Sequence, residues 1–336
     1  MSTKTNTAEK QNPFLVFLGK HVYDIAAYAG LAVTLILFLI FGGKRLSYNA
    51  QTVLQTSAPT IIIALGAVFV YSMGYMDVSV GQQVGVYAIL MIMIINAVGG
   101  VLGVVLGVVL GFLAVLALAL LCGAFNGAVA VWLKLPSIVT SLFLMFFFTG
   151  AQLLLMESTG TNSISVPTSL LRPADRDTYN LVLIIIIVVV TLVVTYFSRF
   201  TKLGKYTRGI GANETATAQS GVNTTKWKVI AYMAFGVCVA LGSYVMLMRT
   251  GSAGKGTGTG YAMDIMICLI LGGMPLSGGM KSKVSSALVG TLTYVLLTND
   301  LTTMGVDLNM INFVKALIFI VIILITCRKR GGVLPR

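Results

Sequence analysis

Residues 181–197 read LVLIIIIVVVTLVVTYF, a stretch without a single charge. Runs of this kind recur along the whole 336-residue chain, and they are continuous rather than alternating. Crossing ~30 Å of hydrocarbon takes ~20 residues of helix, whereas a barrel strand would alternate apolar and polar positions. Backbone groups in lipid must be satisfied within each crossing segment, so these runs are read as helices. With 57% hydrophobic and 10% charged residues, and a mean hydropathy of +0.93, the chain holds more apolar surface than one soluble core can hide. The expected fold is an all-α, polytopic transmembrane helical bundle of about ten spans. They are placed at 25–42, 57–76, 81–98, 101–133, 136–156, 180–198, 226–248, 261–275, 284–299 and 312–327.

The net charge of +13 would suggest nucleic acid in a soluble protein. Here topology accounts for it, and no nucleic-acid partner is expected. If the N-terminus is cytoplasmic, 16 of the 23 basic residues fall on the inner side and seven on the outer, which favours that orientation over its reverse. Both termini are then cytoplasmic, with tails at 1–24 and 328–336 flanking a transmembrane domain at 25–327. Trp132 and Trp227 fall at inner span ends, as interfacial aromatics do. Cys122, Cys238, Cys268 and Cys327 lie in or beside apolar runs with no CxxC spacing, and His21 is the one histidine. Neither a metal site, a cofactor, nor a disulfide framework is expected.

Four polar interruptions deserve a chemical reading. The first, RGIGANETATAQSGVNTTKWK at 208–228, is cytoplasmic in this topology. Asn213 can cap a short helix, Glu214 suits its first turn, and Gly221 suits its stop. Ala212, Ala216 and Ser220 recur every four residues, which puts small side chains on one face. Two readings stand: a docking surface for another protein, or an interfacial loop helix that touches nothing. The second, GSAGKGTGTG at 251–260, invites comparison with a phosphate loop but fails on spacing. Arg249 stands where the first glycine is due and Gly256 where Ser or Thr is due, so a flexible extracytoplasmic connection is expected.

The third, MGYMDVSVGQQ at 73–83, sets Asp77, Ser79, Gln82 and Gln83 in an apolar setting between Gly74 and Gly81. An acid at membrane depth is costly and usually turns toward the bundle interior or water. The bland alternative is a short cytoplasmic turn. The fourth, GYAMDIMICLILGGMPLSGG at 260–279, repeats the theme with Asp264 opening a short span that ends in glycines and Pro275. Two short, glycine-broken spans in different halves point to a transporter's central pathway, from either a parallel or an inverted repeat. In GAFNG at 123–127 the glycines read as close helix packing, with Asn126 either a packing or a pathway residue.

Together these stretches resemble the permease subunit of ribose-type ABC sugar importers, over about residues 57 to 330. The resemblance rests on MDVSVG at 76–81, on GAFNG followed by LKLPSIVTSL, on GIGANETATAQSGV, and on GTGYAMDIMICLILGGMPLSGG, in that order. It implies a dimer of permeases (a second copy or a paralogue) in the bacterial inner membrane. It also implies a cytoplasmic ABC ATPase docked on a coupling segment within 199–228, and an extracytoplasmic solute-binding protein. Gly211, Asn213, Glu214, Ala216, Ser220 and Gly221 match the family's coupling segment. The chain departs from the family pattern at Tyr75 and Met76, where it usually has glycine and an apolar residue, and at Tyr261, where an acid is usual.

A non-catalytic translocation subunit is therefore expected, since no Walker A motif and no Ser–His pair is present. Asp77, Ser79, Gln82, Asn126 and Asp264 are its expected solute-pathway residues, as hydrogen-bond partners for hydroxyl groups. The alternative is an ion-coupled secondary transporter in which Asp77 or Asp264 binds H⁺ or Na⁺.

Overall fold

The computed structural model describes residues 13–43, 46–133, 135–307, 309–317 and 320, with side chains described from residue 25 onward except at 99–102 and 104. Eleven helices carry the fold: α1 (Pro13–Gly42), α2 (Leu46–Ser72), α3 (Val80–Leu102), α4 (Val104–Trp132), α5 (Ser137–Ser158), α6 (Arg176–Phe200), α7 (Lys202–Ala212), α8 (Glu214–Gln219), α9 (Thr224–Thr250), α10 (Tyr261–Leu271) and α11 (Val284–Thr303). Residues 309–317 are also helical. Two three-residue strands, β1 (Ser163–Ser165) and β2 (Ser252–Gly254), pair antiparallel with Ile164 opposite Ala253.

Among the described residues seven helices are long and apolar enough to cross a membrane: α1 through α6 and α9. Of the other expected spans, 261–275 contains only the 11-residue α10, which reaches ~16 Å and so crosses no bilayer by itself. The span expected at 284–299 is the 20-residue α11, and most of 312–327 lies outside the described residues. The helix α1 begins at Pro13, inside the expected polar tail; proline suits a first helical position because its missing N–H has no partner there anyway.

Apolar residues run all round α2, and it is the central helix, surrounded by α9, α11, α6, α10 and α7. By contrast α6 exposes Leu181, Ile185, Val188, Leu192 and Phe200, the surface of a helix that meets lipid. Asp175 caps α6, accepting from the Thr178 hydroxyl at 2.7 Å and its N–H at 2.9 Å, and these donors hold its carboxyl below the usual carboxylate range. The helices α4 and α9 meet backbone to backbone. A methyl added at Gly123 would lie 2.6 Å from the Tyr232 carbonyl, and one at Gly127 2.8 Å from Val229 Cα, so the GAFNG glycines serve close packing as expected.

The 251–260 segment differs from the flexible connection expected. Its strand β2 pairs with β1, and the Gln152 side-chain amide donates to the carbonyls of Gly254 (2.7 Å) and Thr257 (3.1 Å). Glycines pay for themselves here by proximity rather than by mobility: backbone carbonyls of Thr257 and Gly258 lie so close to Gly85 and Gly81 of α3 that a side chain on either would collide.

Candidate solute pathway and coupling surface

The chain leaves α2 at Ser72 through a tight turn in which Gly74 takes φ +76°, a conformation that favours glycine. A methyl there would also meet the Ser277 carbonyl at 2.8 Å. Asp77 follows, 3% exposed, and its carboxylate is fully engaged. One oxygen accepts from the Ser79 N–H at 2.9 Å and the Ser79 hydroxyl at 2.5 Å; the other accepts from the Asn126 amide of α4 at 2.8 Å. The network continues up α3. The Gln83 amide donates to the Ser79 hydroxyl oxygen at 2.7 Å, and the Tyr87 hydroxyl donates to the Gln83 carbonyl at 3.2 Å. The Met76 N–H donates to the Ser137 hydroxyl at the start of α5, fixing the break from a third side.

Every member of this column is buried, so each hydrogen bond stands where an unmet polar group would be costly. One atom has no partner among the described residues, the side-chain carbonyl of Asn126. Of the expected pathway residues, then, Asp77, Ser79 and Asn126 come together, while Gln82 is half-buried and stands outside the network. The glutamine that joins is Gln83. Ser79, Gln83 and Tyr87 are spaced by four, one face of α3, and that spacing was the signal available in the sequence.

Asp264 belongs to a different group. It lies in the first turn of α10, where the Tyr294 hydroxyl of α11 donates to its carboxylate. The Lys315 ammonium lies 3.7 Å from the same oxygen and 4.8 Å from the centre of the Tyr294 ring. Its side chain is 30% exposed.

The expected coupling segment is two helices rather than one. Between α7 and α8 the extended Asn213 caps α8, its side-chain oxygen accepting from the Ala216 N–H at 3.0 Å, and Gly221 at φ +84° ends the turn. Arg208 of α7 donates to the carbonyls of Gly204 and Ser198, binding α7 to the end of α6. Ala212, Ala216 and Ser220 are all exposed, but the extended Asn213 separates Ala212 at the end of α7 from Ala216 in α8, so the three do not form the single helical face expected. Two of the matched residues turn inward instead. Gly211 packs against the Ser72 carbonyl and the Gly279 N–H, and Glu214 pairs with Lys228 of α9 at 2.5 Å.

A family model of the permease component of branched-chain amino acid transport systems matches residues 49–326. The chain belongs to this family. The permease is 28% identical over 289 residues to the ribose import permease protein RbsC of Escherichia coli K12, covering 84% of this chain and 86% of that protein. It is 27% identical over 320 residues to the autoinducer 2 import system permease protein LsrC of Escherichia coli O157:H7, covering 93% and 90%. The LsrC protein of Photorhabdus laumondii is 28% identical over 312 residues, with 92% and 91% covered. No solved structure matches the chain. With its succession of apolar helices, the permease is a multi-pass protein of the bacterial inner membrane.

Proposed function

We propose that this chain is the translocation subunit of an ATP-driven importer for a small polyhydroxylated solute, a monosaccharide such as ribose or a sugar-like molecule. The observation that carries the proposal is the α7–α8 segment: capped at Asn213, stopped at Gly221, and presenting Ala212, Ala216 and Ser220 to solvent. Small exposed side chains let another protein's backbone approach closely, as an ATPase groove would. The choice of a sugar over an amino acid follows the two relatives named for ribose and autoinducer 2, which the chain matches over most of its length.

In this reading α10 together with the non-helical residues that follow it makes one of ten crossings, both ends lie inside, and the chain pairs with a second permease copy or a paralogue and is bathed by lipid. An extracytoplasmic binding protein delivers the solute and a cytoplasmic ATPase hydrolyses ATP, so the chain itself is not an enzyme. Rigid-body shifts pulled from the coupling segment switch the path between outward and inward openings. Asp77, Ser79 and Asn126 form a polar wall that exchanges its internal hydrogen bonds for solute hydroxyls as the break opens; Gln82 adds an amide outside that network, and Asp264 a second polar point.

The test is reconstitution in vesicles with the partner ATPase and binding protein. Uptake of radiolabelled ribose is expected only when ATP and the binding protein are both present, and Ala216→Arg is expected to abolish it while leaving the permease folded. Uptake driven by a proton or sodium gradient alone would establish the ion-coupled alternative. Preferential uptake of leucine would reassign the solute.

A further inference from the structure

Lys228 is an unusual place for a cation. It lies in the second turn of α9, near the positive end of the helix dipole, and only 6% of it is exposed. Two things compensate it. The Glu214 carboxylate of α8 approaches to 2.5 Å, and the Tyr75 ring lies 5.1 Å from the ammonium. Tyr75 belongs to the break, two residues before Asp77. One side chain thus touches both the coupling helix and the ring of a residue in the break that holds the buried carboxylate.

Beside this contact lies an open cleft of about 560 Å³, lined by Tyr75, Leu135, Pro136, Glu214, Thr225 and Lys228. Packed side chains therefore do not fill the space between α8 and the break, and the ammonium bridges it. A second route exists at Gly211, which abuts Ser72 and Gly279. That contact is steric, so it resists compression but does not pull. The Glu214–Lys228–Tyr75 contacts are attractive and carry force in both directions.

We infer that Lys228 is a positioning residue that transmits movement of α8 to the Asp77 break, through its ion pair with Glu214 and its contact with the Tyr75 ring. The inference rests on the proposed ATP-driven function. It gives Glu214 an inward role and assigns a use to Tyr75, where this chain departs from its family.

The experiment places a reporter in the break. In the complex with ATPase and binding protein, with the native cysteines replaced, Met76→Cys is labelled by a membrane-impermeant methanethiosulfonate with and without ATP. The unaltered link is expected to change the labelling rate about tenfold on ATP addition, and Lys228→Met to reduce that response to about twofold or less while ATP hydrolysis continues. Lys228→Arg, which keeps both the charge that meets Glu214 and the cation over the Tyr75 ring, is expected to retain most of the response, and a general loss of folding at this position would not spare it. Tyr75→Phe, which keeps the ring, should retain the response, and Tyr75→Leu should lose it. A full ATP response in Lys228→Met, or its loss in Lys228→Arg, overturns the inference. So does a reference complex that hydrolyses ATP with no change at residue 76. If the reference complex hydrolyses no ATP, the proposed function itself falls.

Discussion

The two glycine-flanked aspartates look alike in sequence and sit in opposite physical situations. Asp77 is sealed in the core with both carboxylate oxygens occupied by donors from its own turn and from α4. Asp264 is partly open to solvent and is held by side chains from α11 and from the 309–317 helix. The first carboxylate organises backbone: without it, the Ser79 N–H and hydroxyl and the Asn126 amide lose their acceptor together. The second organises side chains only, and water can replace its partners. A buried carboxylate and a half-exposed one can thus share a motif while answering to different energies.

The sharpest way to break this contrast is Asp77→Ala. It leaves three buried donors unmet, and a loss of about 3 kcal/mol or more is expected in thermal unfolding of the detergent-purified protein. Next comes Gly81→Ala, whose methyl runs into the Gly258 carbonyl; overpacking of that kind costs about 2 kcal/mol by the same assay. Gln83→Ala, which removes a link of the column, is expected to cost about 1 kcal/mol more than Gln82→Ala, and the difference between the two variants is the measurement that matters. Smallest is Asp264→Asn, at about 1 kcal/mol or below because its ion pair is partly solvated. If Asp264→Asn proved as damaging as Asp77→Ala, the contrast between the two breaks would be wrong.

Local rules made part of this legible in the amino-acid order. The cap at Asn213, the stop at Gly221 and the packing glycines at 123 and 127 depend on neighbours a turn away or on a short spacing, and all appear where expected. The amphipathic α7 is not legible as a helix in the sequence, because its glycines at 204, 209 and 211 disguise it; at Gly204 and Gly211 they admit neighbouring backbone. Adjacent glutamines do not reveal which one joins the network, because the face of α3 that turns inward depends on where the helix begins, at Val80. The ordering of 251–260 was equally hidden, since Gln152 lies 102 residues from the carbonyl of Gly254 that it binds. Asp264's partners Tyr294 and Lys315 are likewise remote in sequence. Contacts of that range follow from tertiary packing and leave no periodic trace.

The small β1–β2 pairing has a mechanical corollary. It stitches the connection between α5 and α6 to the connection between α9 and α10, so neither can be displaced alone. A load set down on one strand is shared by four helices at once, which turns two slender linkers into a single stiff handle.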